Sequence, residues 1–211
     1  MPEILTVSAD NSEESILESA AAIVARGGVI AYPTETFYGL GADATNEQAV
    51  KKIYKIKGRN FINPLSIIIG RTENLYPLVE NVSSAAQKLI QEFWPGALTI
   101  IFKASDGVLP VLTAGTGKIG VRVSGSNAAQ VIAQKLGHPL TATSANLSGK
   151  PECSRASEVA KQIGNKIDAI VDFGPTIGDK VSTIIDVTCD PPVILREGAI
   201  TRQSIENILG I

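Results

Sequence analysis

Two hydrophobic periods take turns along the chain. Ile16, Leu17, Ala20, Ala21 and Val24 recur at helical spacing, which predicts a first helix capped by Asn11 or Ser12 and ended near Arg26 by Gly27 and Gly28. Residues 28–32 are a continuous apolar run of strand length that Pro33 stops, and Thr34, Glu35 and Thr36 crowd polar groups where the backbone must turn. Val50, Ile53 and Tyr54 share one face of a predicted helix over 46–56, with Thr45 and Gln48 as its capping box. A strand at 65–69 follows, then a helix carrying Ala86, Leu89, Ile90 and Phe93 that ends at Trp94-Pro95-Gly96. Strands at 98–102, 119–123 and 140–143 bracket a helix through Ala128, Val131, Ile132 and Leu136. The last third predicts a helix over 157–163, strands near 169–173, 182–187 and 193–195, and a short helix at 205–209. Helices and strands alternating in this way predict an α/β (mixed α+β) layer fold with its sites at strand ends.

Composition narrows the class. With 211 residues, 44% hydrophobic and 19% charged, the chain reads as one domain over 1–211. Apolar runs such as 20–25 and 67–69 are too short to cross a bilayer, and the acidic start is unlike a signal peptide, which predicts a soluble cytoplasmic protein without a membrane partner. Cys153 and Cys189 are isolated thiols, so neither a disulfide framework nor a zinc site is expected. A net charge of −2 argues against a protein that coats nucleic acid non-specifically. It leaves room for a local basic cleft, because Lys51, Lys52, Lys55, Lys57 and Arg59 follow one another closely. The plain alternative is a solvated helix face in which Glu47 pairs with Lys51 and the last cations answer the helix dipole.

Several suggestive motifs fail on their physics. The glycines of Gly39-Leu40-Gly41-Ala42-Asp43-Ala44 lie beyond the strand, and no acidic residue follows at ribose-binding distance, so a dinucleotide site is rejected. Gly115-Thr116-Gly117-Lys118 lacks the first glycine and the magnesium-binding hydroxyl of a phosphate loop. His138, in a Gly-His-Pro turn with no carboxylate pattern around it, reads as structural. Arg122, alone on an apolar strand, is open to three roles: exposed, paired or facing a ligand. Ser144-Ala145-Asn146 reads either as a self-satisfied turn or as a pair of ligand contacts.

Tyr32-Pro33-Thr34-Glu35-Thr36, Tyr38-Gly39-Leu40-Gly41, Lys57-Gly58-Arg59 and Asn63-Pro64-Leu65 together resemble the YrdC-like L-threonylcarbamoyladenylate synthases of the TsaC type, in their short, single-domain form. Trp94-Pro95-Gly96, Val121-Arg122-Val123, Ser144-Ala145-Asn146, Ser182-Thr183 and Leu195-Arg196-Glu197-Gly198 extend the resemblance over roughly 28–200. It implies the YrdC-like fold, a twisted, mainly mixed sheet with flanking helices around a concave basic cleft. It also implies a nucleotidyltransferase that joins L-threonine, bicarbonate and ATP into threonylcarbamoyl-AMP and pyrophosphate, with Mg2+ arriving as Mg-ATP and no other cofactor. The product would feed threonylcarbamoyl-transferase proteins that modify adenosine 37 of tRNAs reading codons that start with A.

Carried over residue by residue, the resemblance puts Lys57 and Arg59 in the catalytic role. Lys57, Arg59, Asn63, Ser144, Asn146 and Arg196 fall on the nucleotide, and Thr36, Arg122, Ala142 and Ser182 on the threonine. No protein metal ligands are implied. Three positions depart from the pattern: Ile68 stands where the longer branch has a histidine, Asn60 replaces a proline, and Lys118 replaces a small hydroxyl residue near the nucleotide. The extra C-terminal domain of the longer enzymes is not expected. Three alternatives stand beside this reading: a non-catalytic module that binds tRNA or double-stranded RNA, a diverged paralogue acting on another small substrate, and a carbamoyl-phosphate-using relative. The last are far longer and carry cysteine-rich zinc regions, unlike this chain.

Overall fold

Ser12 starts the first helix, its hydroxyl oxygen accepting from the N–H of Ser15, and α1 (Glu13–Ala25) follows β1 (Glu3–Thr6). The computed structural model describes residues 1–8, 11–58 and 61–211. β2 (Ile30–Tyr32) and β3 (Gly39–Gly41) flank the Pro33 turn, and α2 (Glu47–Lys57) comes next. Asn46, not Thr45, caps α2, accepting from the N–H groups of Gln48 and Ala49, because the Thr45 hydroxyl is spent on Asp43. Gly58 ends α2 in the left-handed region at φ 61°, as a glycine can without a Cβ penalty.

The chain then runs through β4 (Ser66–Ile68), a 3-10 turn at Thr72–Leu78, α3 (Ser84–Phe93), β5 (Leu98–Lys103), a one-turn α4 (Pro110–Thr113) and β6 (Lys118–Arg122). α5 (Asn127–Leu136), β7 (Leu140–Ser144), α6 (Ala156–Ile163), β8 (Ala169–Asp172), β9 (Thr183–Asp186), β10 (Val193–Arg196) and α7 (Arg202–Leu209) complete it. β1, β3, α4 and the 3-10 turn were not expected from the pattern, and α7 starts earlier than its apolar residues suggest because Thr201 caps it.

The strands form one mixed sheet in the order β1-β8-β2-β3-β7-β4-β6-β5-β9-β10. Parallel pairs are β1/β8, β2/β8, β4/β6 and β5/β9, and the other neighbours are antiparallel. Successive strand residues point to opposite faces, so Ala31 and Ile67 enter one apolar cluster while Ile30, Tyr32 and Ile68 enter the other. α1 and α5 cover the second face, tied together by Lys135, which reaches Glu18 at 2.7 Å. Residues of α2, α3, α6 and α7 contribute to the first cluster. Among the described residues, no helix is long and apolar enough to cross a membrane.

One close approach shapes the sheet beside the site. A Cβ on Gly39 or Gly41 would lie 2.8 or 2.6 Å from the ring of Tyr32, so β3 is glycine-rich because the tyrosine ring lies against it. The Tyr32 hydroxyl donates to the carbonyl of Thr141, which joins β2 to β7 across β3.

Candidate active site

The strand ends open into a cleft of about 760 Å³, lined by Thr36, Lys57, Arg122, Ala142, Ser144, Asn146, Ser182 and Arg196 among others. Residues expected from widely separated motifs thus meet on one surface. Asn63 is not among the lining residues; its carbonyl accepts from the Tyr54 hydroxyl at 2.8 Å, and Pro64 beside it reaches the cleft instead. Arg59 and Asn60 lie outside the described residues.

Lys57 ends α2 and is 5% exposed. Its ammonium donates to the carbonyls of Ser144 and Asn146 and to Oδ1 of Asn146, the last at 3.0 Å. Ser144 Oγ donates to the same Oδ1, and Asn146 Nδ2 donates to the carbonyl of Lys150. The Ser-x-Asn turn is therefore bonded within itself and to Lys57 and Lys150, and both of its polar residues line the cleft. A buried cation is held here by peptide and amide oxygens, which keeps positive charge under the turn.

Arg122 combines two of its three open roles. Its guanidinium lines the cleft while Nη2 lies 2.7 Å from Oε1 of Glu35. The approach is a charge contact without hydrogen-bond alignment: Nη2, the buried Nε and Glu35 Oε1 make no hydrogen bond. Glu35 is instead fixed through Oε2, which accepts from Ser124 Oγ. Burial pushes the Glu35 carboxyl up, but the Arg122 charge, Ser124 and the N–H of Gly125 outweigh it and hold the group below its ordinary value. Glu35, which the sequence reading noted only as polar crowding, thus touches a cleft residue without being among the lining residues itself.

Ser182 and Arg196 form a third group. Arg196 Nε and Nη2 donate to the carbonyl of Ser182, and Nη2 also reaches Ser182 Oγ at 3.0 Å, while Ser182 Oγ lies 3.2 Å from Thr99 Oγ1. Arg196 therefore bonds Ser182, a residue that the resemblance assigns to threonine. Burial lowers its pKa, opposed by the charge of Glu152 and reinforced by that of Arg122. Thr34 Oγ1 donates to the carbonyl of Phe37 and lies 2.8 Å from Thr36 Oγ1, fixing the polar turn. The chain after β8 straps across this turn: a Cβ on Gly178 would lie 2.5 Å from the Thr36 backbone.

Two side chains fall outside the cleft. Lys118 pairs with Asp186 at 2.8 Å and is not among the lining residues. His138 has a carboxylate beside it after all, Asp43 at 3.1 Å, and the pair lies away from the cleft lining. Ile68 is 1% exposed and contributes apolar wall. Among the described residues, no group of three or more histidine, cysteine, aspartate or glutamate side chains could hold a metal ion.

The Sua5/YciO/YrdC family model, described as telomere recombination, matches residues 22–198. The threonylcarbamoyl-AMP synthase of Bacillus subtilis (strain 168) is 42% identical over 195 residues, covering 92% of this chain and 56% of its own length. The solved structure of P. abyssi Sua5 complexed with L-threonine superposes with a TM-score of 0.93 at 39% identity, covering 100% of this chain and 61% of that one. E. coli YciO superposes with a TM-score of 0.84 at 29% identity, covering 94% and 97%. The chain thus spans little more than half the length of the B. subtilis synthase and nearly the whole of YciO.

Proposed function

This chain belongs to the Sua5/YciO/YrdC family, and from that premise we propose that its cleft joins L-threonine, bicarbonate or carbon dioxide, and ATP into threonylcarbamoyl-AMP and pyrophosphate. The observation that carries this reading is the convergence of Thr36, Lys57, Arg122, Ser144, Asn146, Ser182 and Arg196 on one cleft. The similarity to a P. abyssi protein solved with L-threonine supports threonine as the amino acid.

The reaction asks the protein to position and neutralise rather than to attack. The threonine amine adds to carbon dioxide and loses a proton, one oxygen of the resulting carbamate attacks the α-phosphorus of ATP, and pyrophosphate leaves. Arg122 offers planar donors to the threonine carboxylate, and the hydroxyls of Thr36 and Ser182 stand in the same cleft. Lys57 shapes the Ser144–Asn146 turn and adds positive charge where phosphate charge develops. Arg59 is kept as a second phosphate cation on its Lys-x-Arg spacing alone. Magnesium would enter with the nucleotide, held by phosphates and water. The mixed anhydride formed is for a threonylcarbamoyl transferase to consume in tRNA modification.

The alternative is that the same cleft serves another small substrate or RNA. One assay separates the two. Purified protein with magnesium and ATP should release pyrophosphate only when L-threonine and bicarbonate are both present, with serine a poorer substrate and threonylcarbamoyl-AMP visible by mass. Folded protein that binds ATP yet releases no pyrophosphate would give the second reading the lead, with RNA binding measured next.

A further inference from the structure

Arg122 and Glu35 pose a question that carboxylate binding alone does not answer. A buried guanidinium in an amino-acid pocket gains most attraction for an anion when nothing neutralises it. Here a carboxylate sits against it. Glu35 Oε1 lies 2.7 Å from Nη2 without using a hydrogen bond, and Nε, Nη2 and Oε1 all remain unbonded. The charge is matched while the donors stay unspent.

The match is built rather than incidental. Glu35 Oε2 accepts from Ser124 Oγ, two residues beyond Arg122 on the same strand exit. Ser124 Oγ in turn accepts from the N–H of Ser126, and the carbonyl of Ser124 accepts from Gln130 Nε2. Ser126 Oγ donates to the carbonyl of Pro33, closing the link between the Pro33 turn and the start of α5. Nearby, Arg196 is opposed by Glu152, the two lining the same cleft. Glu35 is not itself among the residues that line the cleft, so it bears on a ligand there through Arg122.

We propose that Glu35 is a positioning and specificity-determining residue that keeps Arg122 charge-matched and aimed, so that the subsite takes a zwitterionic amino acid and rejects the corresponding bare carboxylate. An anion without an ammonium would leave the enclosed group negatively charged, whereas a zwitterion adds no net charge. The inference rests on the reading that Arg122 receives the amino-acid carboxylate.

The test is direct binding to the full chain, by calorimetry, of L-threonine, of its des-amino analogue 3-hydroxybutanoate, and of Mg-ATP. Wild-type protein should prefer threonine over 3-hydroxybutanoate by about tenfold or more, the discrimination that an uncompensated charge imposes. Glu35→Gln, which keeps the shape and the Ser124 contact, should collapse that preference while leaving Mg-ATP affinity unaltered. An unchanged preference in folded Glu35→Gln overturns the inference. Should that variant not fold, Glu35→Asp decides: with its charge retained it should keep the preference while weakening both ligands, and loss of the preference overturns the proposal. Arg122→Ala separates the two levels. Threonine affinity untouched by it removes the amino-acid reading of Arg122 itself, whereas lowered affinity together with an unchanged Glu35→Gln preference removes only the role given to Glu35.

Discussion

At Lys57 a side chain that the sequence offers as a phosphate cation is found spent on the protein's own oxygens. Replacing it by methionine leaves the carbonyls of Ser144 and Asn146 without their donor, at a cost of about 1 to 3 kcal/mol. Thermal stability and ATP affinity should therefore fall together. A loss of ATP affinity with an unmoved melting temperature would make Lys57 a phosphate ligand and not an organiser of the turn. Glu35 shows why half of the site stays hidden in a sequence: its fixing partner, Ser124, is 89 positions away, and neither residue belongs to a pattern that announces the other. Thr36, Arg122 and Ser144 sit in spaced motifs and line the cleft, while Pro64 lines it in place of Asn63 because a motif position says nothing about which neighbour turns inward.

Among the elements, β3 is the one that propensity conceals. Glycine weakens a strand, so Gly-Leu-Gly carries no strand signal of its own, and the Tyr32 ring lying against it explains the choice. In Gly41→Ala the new methyl must displace a fully buried ring held by Thr141, so melting should drop by the amount of a core overpacking, about 1 to 3 kcal/mol, and chemical denaturation will measure it. The strap over the Thr34–Thr36 turn predicts a different outcome. Gly178→Ala would drive a methyl into the Thr36 backbone; the strap should shift outward, raising the threonine requirement in the pyrophosphate assay while ATP affinity holds. Equal losses for both substrates would mean that the strap bears on the whole cleft. The helices were more legible than the strands because the 3.6-residue period survives over ten residues, whereas β1 and β3 are four and three residues long.

For the molecule as a whole, charge sets a pH window. Glu35 and Asp186 both titrate below their ordinary values, burial being outweighed by Arg122 in one case and by Lys118 and Thr188 in the other. Depressed carboxylates contribute stability that is present above the ordinary value, 4.5 for Glu35, and is lost as pH falls through the folded value. The melting difference between wild type and Glu35→Gln should therefore shrink below pH 4.5 and stay level above it; a difference that persists undiminished in acid would mean the ionised carboxylate is not its source. The alternating pattern supplied the layer class, yet it could not supply the strand order, because β8 sits between β1 and β2, and β9 beside β5, far from them in sequence.

That order has a consequence for synthesis. β8 lies between β1 and β2, so two earlier strands wait, with open edges, for one that is made much later in the sequence. The N-terminal end of the sheet therefore cannot close on the ribosome until residue 172 has emerged. A nascent chain stalled before β8 should be digested by protease throughout its first thirty or so residues, whereas one stalled well past it should resist; early resistance would mean that β1 and β2 find another partner first.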